Sequence, residues 1–95
     1  MGAPVYQVRF SPEFEEKFNS LPADIQAAAG KAIQKLLQGL HTSIRLHRYA
    51  SVQPPYWVFD ALSNHSYQIS CRREENTFTL LDIGTHKQIE KRSRK

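Results

Sequence analysis

Hydrophobic and polar positions along the chain change their period twice. Residues 5–10 alternate loosely, as in a β-strand. From Phe14 to Leu40 the apolar residues recur every three or four positions, which is typical of helices that bury one side. Alternation then returns in four short runs, at residues 44–49, 56–62, 67–72 and 77–83. The order predicts one strand, two helices and then four further strands.

The ends of the two helices are marked by residues that favour capping. Ser11 can accept hydrogen bonds from free N–H groups and Pro12 fits the first helical position, so the first helix is predicted at residues 12–19. Pro22 interrupts this helix and opens the second one. Gly39 suits the end of the second helix, because glycine readily adopts the left-handed conformation found there.

The last four strands are predicted to form an antiparallel meander, because short turns separate them at Pro54–Pro55, at residues 63–65 and at residues 74–76. Successive side chains on a strand point to opposite faces, so the sheet has an apolar and a polar face. The apolar face contains Ile44, Leu46, Trp57, Phe59, Tyr67, Ile69, Cys71, Phe78 and Leu80. Its expected partners on the helices are Phe14, Phe18, Ile33 and Leu37. The open polar face contains Arg45, His47, Tyr49, Tyr56, Asp60, Gln68, Ser70, Arg72, Thr77 and Thr79.

The predicted fold class is α+β, with an N-terminal strand, a two-helix hairpin and an antiparallel β-meander. A chain of 95 residues has the size of one domain, so a single domain is expected over residues 1–95. The formal net charge is +4, which suits a polyanion or an acidic protein as a partner. The cations cluster at residues 45–48, at Arg72–Arg73 and in the tail at residues 91–95.

Several classes of function have no support in the sequence. Cys71 is the only cysteine, so no internal disulfide is expected, and no Cys/His spacing suited to zinc accompanies it. Glycine-rich phosphate loops, a Ser/His/Asp arrangement and a metal cluster are lacking, so neither a cofactor nor a metal is expected. No run approaches the ~20 apolar residues of a membrane span and the first residues do not read as a signal peptide. A cytoplasmic protein without membrane contact is expected.

Several stretches of the sequence occur in an order that resembles a known family. They are residues 5–14, the Leu21–Pro22 helix break, residues 33–40, Tyr67-Gln68-Ile69, and residues 80–87 with Gly84-Thr85-His86. A strand, a helix pair and a meander that ends in a Gly-x-His element resemble the RelE/ParE superfamily of bacterial type II toxins. The resemblance spans most of the chain, although each motif is short. It implies the same fold and a small cognate antitoxin that wraps the toxin and covers its functional face.

Members of that superfamily differ in activity. RelE-like members cut mRNA on the ribosome, ParE-like members poison DNA gyrase, and some have no demonstrated toxicity. Gln68 stands where nuclease members often carry an arginine, Asp60 stands where a basic residue is common, and His86-Lys87 lie near the place of a C-terminal tyrosine. Gln68 and Asp60 favour a gyrase inhibitor or a toxin-fold binding protein without catalysis. The histidines and the cationic sheet face favour an endoribonuclease.

Metal-free RNA cleavage needs a base, an acid and cations that stabilise the charge on phosphorus. Histidine suits proton transfer because its pKa is ordinarily near ~6.5, and arginine suits phosphate. The catalytic candidates are His47 and Arg72 on the predicted polar face, and His86, which the resemblance adds because the functional His or Tyr of the family lies there. The candidates for RNA binding are Arg45, Arg48, Arg73, Lys87 and Tyr49. His41 and His65, in predicted loops, are expected to be structural or exposed.

The expected function is that of the toxin of a type II toxin–antitoxin system, an mRNA endoribonuclease that inhibits translation through attack by the 2′-hydroxyl. The expected partners are an antitoxin, mRNA and the ribosome, with DNA gyrase as the alternative target. Cleavage specificity, antitoxin identity and oligomeric state do not follow from the sequence.

Overall fold

The computed structural model describes residues 5–49, 56–62 and 66–93. The elements in chain order are β1 (Gln7–Phe10), α1 (Pro12–Asn19), α2 (Ala23–Leu37), β2 (His47–Tyr49), β3 (Tyr56–Asp60), β4 (Tyr67–Glu74), β5 (Thr77–Thr85) and α3 (His86–Ser93). The predicted break at Pro54–Pro55, the predicted turn at residues 63–65 with His65, and the last two residues of the cationic tail lie outside the described residues.

The five strands form one mixed sheet in the order β1-β5-β4-β3-β2. Strands β2 to β5 form the predicted antiparallel meander. Strand β2 begins at His47 and not at Ile44 as predicted, because residues 41–45 form a turn in which Arg45 has a φ of +56°. Strand β1 lies parallel to β5, so the sheet as a whole is mixed and not antiparallel throughout. Parallel neighbours need a long connection. Here α1, α2 and strands β2 to β4 lie between β1 and β5 in the chain and provide it. The fold is a small α+β domain with three helices.

Both predicted helices form, and side-chain hydrogen bonds fix their ends. The Ser11 hydroxyl accepts from the Phe14 N–H at 3.1 Å, and α1 covers the predicted residues 12–19. The Gln26 side-chain amide donates to the carbonyl oxygens of Phe18 and Leu21 at 2.9 and 3.0 Å. These two bonds satisfy carbonyls at the end of α1 and join that end to α2.

The main core lies between the sheet and helices α1 and α2. Its buried residues are Phe14, Ala29, Ala32, Ile33, Leu36, Ile44, Phe59, Ala61, Ile69, Cys71, Phe78, Leu80 and Ile83. The predicted strand register is confirmed, since Phe59, Ile69 and Phe78 are fully buried. Trp57, Tyr67 and Phe18, which were also expected inside, are only half-buried at the margin of this core. The prediction for Leu37 was wrong: it is 40% exposed, because the neighbouring Leu36 occupies the inward position.

Helix α3 was not predicted, and it covers part of the sheet face opposite α1 and α2. It lies against β4 and β5. Ile89 is its buried apolar residue, and Val58 on the same side of the sheet is buried as well, although neither belongs to the main core. Thr85 and Gln88 form a capping box at the start of α3: the Thr85 N–H donates to the Gln88 side-chain oxygen at 2.9 Å, and the Gln88 N–H donates to the Thr85 hydroxyl at 3.2 Å.

A β-bulge interrupts the alternation of β5. Ser70 pairs with Asp82 while the next residue, Cys71, pairs with Leu80, so Leu81 is an extra residue on β5. Leu80 and Ile83 therefore both face the main core although they are three positions apart. The Asp82 carboxylate lies 2.9 Å from the Lys17 ammonium and ties α1 to the bulge. Within the described ranges, no helix is long and apolar enough to cross a membrane.

Candidate functional site

The sheet face opposite α1 and α2 divides into two parts with different exposure. One part, the covered half, holds Val58, Asp60, Gln68 and Ser70, all of them buried. The other part, the open half, holds Arg9, His47, Tyr56, Arg72 and Thr79, which are exposed or half-buried. The prediction that the whole polar face is open was therefore wrong. Helix α3 contacts β4 and β5, and β4 is the strand that carries Gln68 and Ser70.

Polar groups of the covered half hydrogen-bond to one another. Gln68 donates from its side-chain amide to one Asp60 carboxylate oxygen at 3.5 Å, and the Arg45 guanidinium lies 3.5 Å from the other oxygen. Asp60 is 5% and Gln68 7% exposed, so both need such partners. Gln68 and Asp60 are thus engaged with each other inside the protein. The positive charge of Arg45 is paired with the Asp60 carboxylate.

His47 forms one hydrogen bond to the backbone at the border of the open half. Its Nδ1 lies 2.6 Å from the Arg45 carbonyl oxygen. Because a carbonyl oxygen only accepts, Nδ1 carries the proton, and in the neutral ring Nε2 keeps its lone pair. His47 is exposed on the edge strand β2. Its Nε2 can therefore accept a proton from a bound molecule.

Arg72 shares the open half with His47. The register pairs His47 with Val58 and Val58 with Ser70, and Arg72 follows Ser70 by two positions on β4. Two strand spacings of about 4.8 Å and two residues of about 3.4 Å each place the two Cα atoms roughly 12 Å apart. A bound nucleotide spans such a gap, with the ring and the guanidinium approaching it from two sides.

His86 and Lys87 lie at the opposite end of the sheet from Arg72. Thr85 pairs with Tyr67 at the start of β4, and Arg72 is five residues further along that strand. At about 3.4 Å per residue the separation is roughly 17 Å. His86 is exposed as the first residue of α3, and Lys87 is exposed beside it. The catalytic candidates His86 and Arg72 are thus too far apart to contact one phosphate group.

Two candidate arginines lie on the face that carries α1 and α2. The Arg73 guanidinium lies 4.9 Å from the centre of the Trp57 ring and 5.1 Å from that of Phe78, and its Nε donates to the Glu75 carbonyl oxygen at 3.2 Å. Arg48 pairs with Trp57 and is exposed on the same face. Arg73 therefore closes the margin of the main core, as cation–π contacts allow. Neither side chain joins His47 and Arg72.

Tyr49 and His41 complete the set of candidates from the sequence. The Tyr49 backbone pairs with Tyr56 at the end of β2, and its side chain lies outside the described part of the chain. His41 is structural, as predicted: its Nε2 lies 3.2 Å from the Leu36 carbonyl oxygen, and its ring packs edge-on against Tyr6 and Phe78.

Arg9 belongs to the open half, and sequence reasoning missed it. It pairs with Thr79 on β5, and Thr79 pairs with Arg72 on β4. Alternation along β1 already indicated that Arg9 points away from Val8, which packs against the main core. What the sequence did not reveal is the parallel pairing of β1 with β5, which brings Arg9 and Arg72 to the same row.

Cys71 has no role in this site. Burial raises the pKa of its thiol to about 12, an effect that the Arg73 guanidinium only partly offsets. A thiol in that state is a weak nucleophile and metal ligand. Among the described residues, no group of three or more His, Cys, Asp and Glu side chains could hold a metal ion.

Comparison with known proteins adds no assignment. No protein-family model matches the chain, and no curated protein matches it.

Proposed function

We propose that this chain is a toxin of the RelE/ParE type that cuts mRNA without a metal ion, with the open half as its site. The observation that carries the proposal is that His47 and the exposed Arg72 lie on the same accessible sheet face. The Nε2 atom of His47 is available there to accept a proton. The ordered sequence motifs support the toxin family. The net charge of +4 supports a polyanionic substrate.

The chemistry would be attack by the ribose 2′-hydroxyl. His47 takes the proton of that hydroxyl at Nε2, and the 2′-oxygen forms a bond to phosphorus while the bond to the 5′-oxygen breaks. Arg72 stabilises the negative charge that builds on the phosphate oxygens. The leaving 5′-oxygen takes a proton from water, because the open half is accessible to solvent. The products are a 2′,3′-cyclic phosphate and a 5′-hydroxyl end.

An antitoxin partner is part of this proposal. A mostly apolar groove between α1 and α2 is lined by Phe10, Phe14, Phe18, Gly30 and Ile33, together with the polar Glu15 and Asn19. Phe10 is 49% exposed there, although it stacks on Phe14 at 5.7 Å. An exposed apolar groove of this kind suits the side chains of a partner segment. The ribosome and a cytoplasmic location belong to the same proposal, on the strength of the family resemblance.

A second candidate is a toxin-fold protein that binds without catalysis, with DNA gyrase as the alternative target. It is favoured by the separation of roughly 17 Å between Arg72 and the second candidate for proton transfer, His86. It is favoured also by the residue types at positions 60 and 68, since neither Asp60 nor Gln68 carries a positive charge.

The test is cleavage of mRNA in a translating extract by the wild type and by His47→Ala and Arg72→Ala. We expect each substitution to lower the cleavage rate on the order of 100-fold or more. Lys31→Ala removes one exposed cation from α2, on the other side of the sheet, and should cleave like the wild type. All variants should keep the wild-type melting temperature, because these side chains are exposed.

Two results would count against the nuclease. Wild-type protein that leaves mRNA intact with and without ribosomes would exclude it, and inhibition of gyrase supercoiling by the same protein would establish the second candidate. An equal reduction of cleavage in Lys31→Ala and Arg72→Ala would mean that the open half is not the site.

A further inference from the structure

We infer that Arg9, Thr79, Arg72 and Tyr56 form a binding row for a single-stranded polynucleotide that lies across the strands. The row is defined by these four residues. It deepens the RNA-binding part of the proposed function and rests on it, but it requires no cleavage. The substrate class is a single strand held by its phosphates, with one base stacked on a tyrosine.

The register of the sheet places the row perpendicular to the strands. Arg9 pairs with Thr79 and Thr79 with Arg72, on β1, β5 and β4. Trp57 pairs with Cys71, so one further step of the same antiparallel register sets Tyr56 opposite Arg72. Paired residues on neighbouring strands share a face, so the four side chains project from one side of the sheet.

The two arginines of the row have charge available for a ligand. Both are exposed, and neither forms an ion pair or a side-chain hydrogen bond with another described residue. Arg45, by contrast, lies 3.5 Å from Asp60, and Arg73 packs against Trp57 and Phe78. Arg9 and Arg72 thus offer two guanidinium groups in one row, whereas Arg48, which is also exposed, lies on the face that carries α1 and α2.

The spacing of the row matches a chain of phosphates better than one small anion. Two strand spacings of about 4.8 Å separate the Cα atoms of Arg9 and Arg72 by roughly 10 Å. Thr79, between them, offers a hydroxyl that can donate to a phosphate oxygen. Tyr56 is half-buried at the end of the row and has a ring on which an unpaired base can stack. The row thus combines backbone contacts with one stacking platform.

One acidic residue borders the row. Glu74 pairs with Thr77 and follows Arg72 by two positions on β4, so it lies on the same face in the next row. It is exposed and would repel a phosphate chain shifted in that direction. On the other side lie the exposed His47 and the buried Val58 and Ser70. The charge of Glu74 therefore favours a strand bound along the row and toward His47.

The test uses a 2′-O-methyl RNA oligomer, which has no free 2′-hydroxyl to attack, and measures its affinity by fluorescence anisotropy from 50 to 300 mM salt. Removing one arginine that binds a phosphate should reduce the magnitude of the slope of log K against log salt by about 0.7. At 0.1 M salt that corresponds to about fivefold weaker binding relative to the 1 M reference. Arg9→Ala and Arg72→Ala should each show this change, and Arg9→Lys should keep the slope.

Two further variants make the test specific. Lys31→Ala, on the other side of the sheet, should bind with the slope and affinity of the wild type. Glu74→Gln should bind more tightly, because it removes a negative charge next to the row. Melting temperatures measured alongside show whether a weak binder is still folded.

The outcomes separate the row from the nuclease proposal. Weaker binding by Arg72→Ala but not by Arg9→Ala would overturn the row and leave a nuclease centred on His47 and Arg72. Binding with the expected slopes by a protein that does not cut mRNA would support the row and remove the nuclease. Tighter binding of duplex DNA than of single strands would overturn the row, because a paired base is not free to stack on Tyr56.

Discussion

Neighbouring residues of like charge have opposite roles because a strand alternates its faces. Arg72 and Arg73 are adjacent on β4, yet Arg72 is exposed on the open half while Arg73 packs over Trp57 and Phe78 on the other face. From the sequence, Arg72 was a catalytic candidate on the polar face and Arg73 a candidate for RNA binding. The alternation separates a cation that is available to a ligand from one that stabilises the core margin.

Gly39 is the glycine at which a side chain is expected to be costly. Its φ is +80°, and an added Cβ would lie 3.2 Å from Cε2 of Tyr6. Gly39→Ala should lower the free energy of unfolding by about 1–2 kcal/mol, because an L-residue is strained in this conformation. The matched control is Gly30→Ala inside α2, where a Cβ meets nothing within 4 Å. Gly30→Ala should raise the free energy of unfolding by about 0.5–1 kcal/mol. Urea unfolding of both variants measures the two changes.

The buried thiol of Cys71 should make stability fall at alkaline pH. Its pKa in the folded protein is raised from 9.0 to about 12, so the unfolded chain loses this proton first as the pH rises. The stability that comes from keeping the thiol protonated is therefore fully present below about pH 9. Toward pH 12 the free energy of unfolding falls by up to about 1.4 kcal/mol per pH unit. Cys71→Ala lacks this contribution, so the stability difference between wild type and variant should narrow above pH 9. The expectation would be wrong if the free energies of unfolding of wild type and variant, measured with urea from pH 7 to 10, differed by the same amount at every pH.

At the scale of elements, α3 is a helix too short to show the periodic apolar pattern by which helices are predicted. It has eight residues, and Ile89 is the only aliphatic residue in its sequence, so no apolar stripe can repeat. The local signal was the Thr85-x-x-Gln88 spacing of a capping box. Ile89 is the buried apolar residue described in α3, so we expect its burial and the two capping hydrogen bonds to hold the helix on β4 and β5.

Ile89 should therefore be the residue of α3 on which stability depends most. It is 1% exposed, and Ile89→Ala should lower the free energy of unfolding by about 2–4 kcal/mol through reduced burial and the cavity left behind. Lys91→Ala, an exposed position of the same helix, should change it by less than about 0.5 kcal/mol. Thermal and urea unfolding of the two variants test this. Equal effects would mean that α3 is not anchored by Ile89.

At the scale of the whole molecule, the sequence predicted local structure well and long-range pairing less well. The bounds of α1 and the inward residues Phe59, Ile69 and Phe78 followed from spacing alone, since each depends on neighbours along the chain. The parallel pairing of β1 with β5 joins residues about seventy positions apart, which no local pattern encodes. The same holds for the candidate site. Alternation along the strands predicted that Arg72 and His47 share a face, whereas the position of Arg9 beside Thr79 and the separation of His86 from Arg72 depend on the order of the strands in the sheet.

The two layers on the sheet should differ in how easily they open. Helix α2 buries Ala29, Ala32, Ile33 and Leu36, whereas Ile89 is the one fully buried apolar residue described in α3. Native-state hydrogen exchange should therefore show α3 amides exchanging through a smaller opening than those of β4 and β5. The control is Ile89→Ala, in which α3 amides should exchange faster still. Equal protection of α3 and β4 would show that the molecule opens only as a whole.

The extra residue at Leu81 has a consequence for comparing this chain with others. Without it, Leu80 and Ile83 would be two positions apart and would still face the same side of a regular strand. A relative with a straight last strand would thus be one residue shorter here, and an ungapped alignment would fall out of phase from Asp82 onward. The His86 segment would then be matched one position off. A single-residue gap at Leu81 is where a search for distant relatives should begin.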